Sequence, residues 1–165
     1  MSARLESCFG NLQNSRYNVT SPEDDLYNCI AWAAREMHRK WWPIGGYWPI
    51  ALREETIACF VLAFETLEYR TCLDGRRERG FEKIAIYVDS SGTPTHMARQ
   101  LHSGTWTSKC GDLEDLEHES LDAVGGEPDG YGTVITFMKR PFIGGNEEES
   151  GWLARIWPFA RKQRI

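Results

Sequence analysis

The sequence predicts an α+β fold in which N-terminal helices pack on a small antiparallel sheet. Helical periodicity is confined to the first half of the chain, and the period changes to two after residue 80. Short turns containing Gly and Ser then separate the alternating runs. At 165 residues the chain is long enough for one domain with a sizeable core. Its expected parts are an N-terminal extension (1–20), a domain body (21–141) and an acidic-to-basic C-terminal tail (142–165) of helical character.

The first helix has two candidate starts. In "SPEDDLYN", Ser21 suits an N-cap, Pro22 the first helical position, and Glu23 and Asp24 the positive end of the helix dipole. Asn28 is also a strong N-cap, and a start there puts Cys29 in the first turn. From that point "CIAWAAREMHRK" carries Ile30, Ala33, Ala34 and Met37 at helical spacing. "WWPIGGYWP" breaks the helix with Pro and Gly. A second helix is expected in "IALREETIACFVLAFETLEYR", with Ile57, Val61 and Phe64 on its apolar stripe.

After the polar turn "CLDGRRERG" the chain alternates. "FEKIAIYVD", "PTHMARQL" and "TWTSKCG" form a three-strand meander, turned by "SSGT" and "HSG". "DLEDLEHESLDAVGG" reads as a short helix or loop with acidic faces. "YGTVITFMKRP" is a fourth strand closed by proline.

Composition bounds the function. The formal charge of −5 provides no basic field, so no nucleic-acid partner is expected. No run nears the roughly 18 apolar residues of a membrane span. "MSARLESCFGNLQNS" lacks the apolar core of a secretory signal. The five cysteines form no CxxC pair, which argues against a disulfide framework and a structural zinc, and for a reducing cytoplasm. No metal or cofactor is implied. The tail runs from "NEEES" to "RIWPFARKQRI", a surface for a partner protein, although a solvated end is the plainer reading.

One constellation could carry chemistry. Cysteine attacks as thiolate, and a helix start or a neighbouring imidazole promotes that form. Cys29 has the helix start. Of the four histidines, His38 is too far along the same helix, His118 reads as solvated in "EDLEHE", and His102 falls in a turn. His96 heads a strand and is the candidate base. A three-residue "HSG" turn sets Leu101 opposite Thr105, His96 opposite Cys110 and Ala98 opposite Ser108. Ser108 is then diagonal to His96 on the same face and could orient the ring, with Gln100 as an alternative. Cys110 is a secondary thiol candidate. The backbone N–H of Cys29, helped by Asn28 or Tyr27, would hold an oxyanion. Trp41, Trp42 and Trp48 could wall a substrate groove, with core packing as the plainer alternative.

The order of Cys at a helix start, His heading a strand and a polar residue on the next strand resembles the papain-like cysteine hydrolases, the NlpC/P60 branch most of all. The resemblance implies a papain-like fold, with Cys29 as nucleophile, His96 as base and Ser108 as third member. It also implies amide cleavage in a peptide or protein substrate, as a peptidase, amidase or deamidase. Asn28 departs from the acidic residue usual before the cysteine, and Ser108 from the usual His, Asn or Gln. These departures fit a degenerate, catalytically silent binding module. The blocks "YNCIAWA", "PTHMARQL", "WTSKCG" and "YGTVITFMKRP" also resemble those of a bacterial family, over roughly residues 20–141; that likeness speaks to fold rather than to a reaction.

Overall fold

Alternation in "FEKIAIYV" builds the centre of the molecule. The computed structural model describes residues 2–142. In it Phe81–Val88 is a strand whose eight residues are all buried, because other strands flank it and packed layers cover both its faces. Strands β1 (Tyr17–Ser21), β2 (Arg70–Cys72), β3 (Phe81–Val88), β4 (Pro94–Gln100), β5 (Trp106–Lys109), β6 (Asp115–His118) and β7 (Thr133–Pro141) form one sheet. Its spatial order is β1-β6-β5-β4-β3-β7-β2, and every pairing is antiparallel.

Period two sends successive β3 side chains to opposite cores. Ile84 and Ile86 join Met97 and Met138 in one cluster, beneath helices α2 (Cys29–Ala33) and α3 (Ile57–Glu65). Ala85 and Tyr87 join Ala98, Trp106 and Leu116 in the other. That second cluster is covered by helix α1 (Ala3–Cys8) and 3-10 turns at Gly10–Asn14 and Leu121–Val124.

This architecture corrects the expected fold class. The described chain is mostly β, a seven-stranded antiparallel sheet with a few short helices. It is not a set of N-terminal helices packed on a small sheet, and the papain-like arrangement expected of it is corrected with it. The meander and the fourth strand lie where alternation put them. The helices are much shorter than their periodicity suggests, for a local reason. After α2, Arg35 takes φ 64°. The N–H of Glu36 then bonds the carbonyl of Ala31, and that of Arg35 the carbonyl of Trp32, which closes a Schellman motif. Helix α3 ends the same way at Glu68, φ 68°, with Tyr69 N–H on Phe64 O and Glu68 N–H on Glu65 O. Glycine usually signals such a stop, and neither position has one.

Three strands were not anticipated. β1 replaces the helix start expected at Ser21, β2 is a three-residue edge, and β6 takes the place of the expected acidic helix or loop. Residues of the expected N-terminal extension pack into the second core through Leu5, Phe9 and Leu12. The expected tail lies outside the described residues apart from Phe142, whose N–H bonds Gly80 O. Among the described residues no helix is long and apolar enough to cross a membrane.

Candidate functional site

Asn28 fixes the start of α2. Its side-chain oxygen accepts from the N–H of Ala31 and of Trp41, and its amide donates to Trp41 O. One side chain therefore caps the helix and ties the aromatic loop to it, which uses its oxygen and one of its two amide N–H donors. Cys29 follows, 7% exposed. The backbone N–H groups of Met97, Ile30 and Cys29 itself lie close enough to its sulfur to favour the thiolate.

The approach of Met97 N–H to the sulfur comes from an interruption in the sheet. The turn Leu101–Thr105 has the expected register, with Gln100 opposite Trp106 and Arg99 opposite Thr107. Beyond Arg99 the pairing of β4 with β5 stops, and Ser108 and Lys109 pair only with β6. Strand N–H groups alternate sides. Leu101 donates toward β5, so Met97 N–H aims into the seam where β5 has left, toward the Cys29 sulfur.

His96 is the residue next to Met97 and is fully buried. Its Nε2 lies 2.9 Å from Ser108 Oγ. Ser108 Oγ also lies 2.9 Å from Nε2 of His118, whose Nδ1 donates to Ser120 O at 2.7 Å. The imidazole of His96 stacks on Tyr131, with ring centres 4.0 Å apart and planes 7° from parallel, and Tyr87 meets it edge-on at 5.1 Å. Its Nδ1 is buried with no hydrogen-bond partner among the described residues.

Electrostatics keep the site neutral at rest. Burial pushes the Cys29 thiol up to about 11, against the opposing pull of the three N–H groups and the Lys109 ammonium. Burial, with His118 as a neighbour, holds His96 well below the usual imidazole value, and burial also lowers His118. Lys109 is itself fully buried; it donates to Leu113 O, stands 3.9 Å from Asp115 and lies 5.3 Å from the centre of the Tyr27 ring.

The sequence-derived candidates divide in two. His96 and Ser108 meet at 2.9 Å, whereas Cys29 packs in the core on the other face of the sheet, next to Met97, and makes no hydrogen bond to the His96 ring. Tyr27 packs in the Cys29 cluster, and its hydroxyl donates to Asp115 at 2.7 Å. Gln100 points elsewhere, donating to the carbonyls of Gly75 and Gly104. Trp41 and Trp48 are buried against Phe64 and Phe60 respectively, and Trp42 packs edge-on to Phe60 and donates to Glu55. These indoles fill core around α3. Cys110 is buried in the second cluster.

Sequence reading missed His118 and Tyr131. His118 is 1% exposed, not solvated, because "DLEH" is a strand with His118 on the Ser108 face. Alternation of Leu116 with charged neighbours was the available signal, weak over four residues. Among the described residues no group of three or more His, Cys, Asp or Glu could hold a metal ion.

Fold and site together define an antiparallel-sheet protein with a buried cysteine at a helix start, next to an unpaired seam, and a buried His–Ser–His chain on the other face of the sheet. The protein belongs to the family described as Domain of unknown function (DUF7689), whose model matches residues 18–139, a span that includes every residue of this chain of contacts and leaves α1 outside. No curated protein and no solved structure matches the chain.

Proposed function

We propose that the protein is a cysteine-dependent hydrolase of an amide bond in a peptide or protein, with Cys29 as nucleophile and His96 as base. The observation that carries this reading is the free Nδ1 of His96, a buried ring nitrogen without a partner, on the residue next to Met97, whose N–H favours the Cys29 thiolate. In this reading Nδ1, which makes no hydrogen bond to the sulfur at rest, takes the thiol proton once substrate brings the two groups together, and the sulfur attacks the carbonyl carbon. The oxyanion falls to the backbone N–H of Cys29 with the remaining amide N–H of Asn28, the Tyr27 hydroxyl being engaged by Asp115, and the Lys109 charge supports the developing anion. The imidazolium returns its proton to the leaving amine, and water hydrolyses the thioester. The five cysteines are free thiols, which suits a cytoplasmic protein.

A second reading draws on a different observation. Cys29 is nearly buried and its thiol is pushed up to about 11, as expected of a packing cysteine in a catalytically silent binding module.

Alkylation separates the two. With a pKa near 11 the unaided thiolate at pH 7 is about one part in 10⁴, so fast labelling requires proton transfer to His96. Iodoacetamide at pH 7, with mass spectrometry to locate the label, should modify Cys29 ahead of the exposed Cys8. His96→Ala should abolish that preference. Labelling of Cys8 first, with Cys29 reacting only as the protein unfolds, would establish the silent module instead.

A further inference from the structure

The contacts of Ser108 leave little freedom to its neighbours. Ser120 O can only accept, so the bond to His118 Nδ1 fixes a proton on Nδ1. A neutral His118 then presents Nε2 as an acceptor. Ser108 has a single hydroxyl proton and two ring nitrogens at 2.9 Å, so it donates to one and accepts from the other. Donation to His118 obliges His96 to donate from Nε2. Nδ1 of His96 is then left as a bare lone pair, and it is the one ring nitrogen of the pair with no partner. The opposite arrangement needs a cationic His118 with both nitrogens protonated. It would also bury an unpaired N–H on His96 Nδ1, a donor stripped of water with nothing to bond.

We propose that His118 is a positioning residue that sets the tautomer of His96 through Ser108, directing proton acceptance to Nδ1. The direction of the chain originates at the Ser120 carbonyl, runs through His118 and Ser108, and ends at His96 Nδ1. Tyr131 and Tyr87 hold the ring plane, and the hydrogen-bonded chain decides which nitrogen is the base. Stacking alone is symmetric with respect to the two tautomers; a carbonyl is not. The far end of this chain borders a cleft of about 450 Å³ lined by Arg16, Tyr17, Thr105, Glu117, His118 and Glu119, with Cys29 not among its lining residues. The purpose of the device rests on the hydrolase reading, but its existence does not.

Nitrogen NMR on uniformly ¹⁵N-labelled protein at pH 7.5 tests it directly, through long-range couplings that report which ring nitrogen is protonated. The expected result is His118 protonated on Nδ1 and His96 protonated on Nε2, each as a single tautomer. Ser108→Thr should retain both. Ser108→Ala and His118→Phe should leave His118 (where present) unchanged and convert His96 to a mixture or to the Nδ1–H form. In those two variants Cys29 alkylation should fall at least tenfold. Should either variant fail to fold, the wild-type spectrum and the other variant still decide. His96 protonated on Nδ1 in the wild type, or unmoved by Ser108→Ala, overturns the proposal. Correct tautomers with slow Cys29 labelling overturn the hydrolase reading and leave the positioning role of His118 standing.

Discussion

Two buried polar clusters occupy opposite faces of the sheet and handle charge in opposite ways. Beneath α2 and α3, the fully buried Glu82 receives Tyr69 at 2.6 Å and Arg140 Nε at 3.0 Å on Oε1, and Arg99 at 3.5 Å together with Arg35 on Oε2. Burial raises its carboxyl, but Arg35 and Arg140 outweigh that and hold it below the usual range. On the other face the His96–Ser108–His118 chain carries no ion. The charged cluster closes on itself: even Arg140 Nη2, misaligned for a hydrogen bond, stands 3.0 Å from Glu82 as an ion pair. The neutral chain is closed at the Ser120 end and open at His96 Nδ1. A closed network supplies rigidity, whereas an open one can exchange a proton.

The largest effect should come from opening the closed cluster. Glu82→Gln leaves three guanidinium groups around a neutral amide and should cost about 3–5 kcal/mol in urea unfolding. A cost below about 1 kcal/mol would mean that water already compensates these charges, and the contrast would dissolve.

Acid should act on the open chain next. The folded-state values of His96 and His118 lie below those of the unfolded chain. The unfolded state therefore gains protons first as pH falls through about 6.5, and the folded state is destabilised. Their contribution is fully present above that point. Below it, stability should drop by up to about 1.4 kcal/mol per pH unit for each histidine. His118→Gln should roughly halve the slope of unfolding free energy between pH 6.5 and 5. An unchanged slope would show that the two rings are not buried neutral.

The smallest effect separates local strain from the charged cluster. Glu68→Gly relieves a positive φ and should stabilise by up to about 1 kcal/mol in thermal unfolding. Arg35→Gly relieves the same strain but removes a partner of buried Glu82, so it should destabilise. Equal effects from the two would deny Arg35 its part in the cluster.

Much of the site could be read from particular residues. Turn length fixed the pairing of Leu101 with Thr105, and from that the diagonal of His96 and Ser108 followed. Asn28 marked the true helix start through its capping chemistry. The fold was less legible because its omitted parts carry little pattern. β1 is largely exposed and is held as an edge strand by β6 and by the Ser21–Asp115 bond, none of which periodicity reports. The helices were overextended because tertiary demand, not glycine, sets Arg35 and Glu68 at positive φ. His118 was missed because a charged neighbourhood in sequence was taken for a charged neighbourhood in space.

The seam between β4 and β5 sets stability against use. Two strands that paired to their ends would gain main-chain bonds, and the Met97 N–H would be spent on a carbonyl. The cysteine sulfur would then lose that donor. Any substitution that heals the sheet there, however favourable to folding, should compete with the sulfur for the same donor. Screens for thermostable variants should therefore find, among residues 97–110, changes that raise the melting temperature and bury the thiol beyond reach.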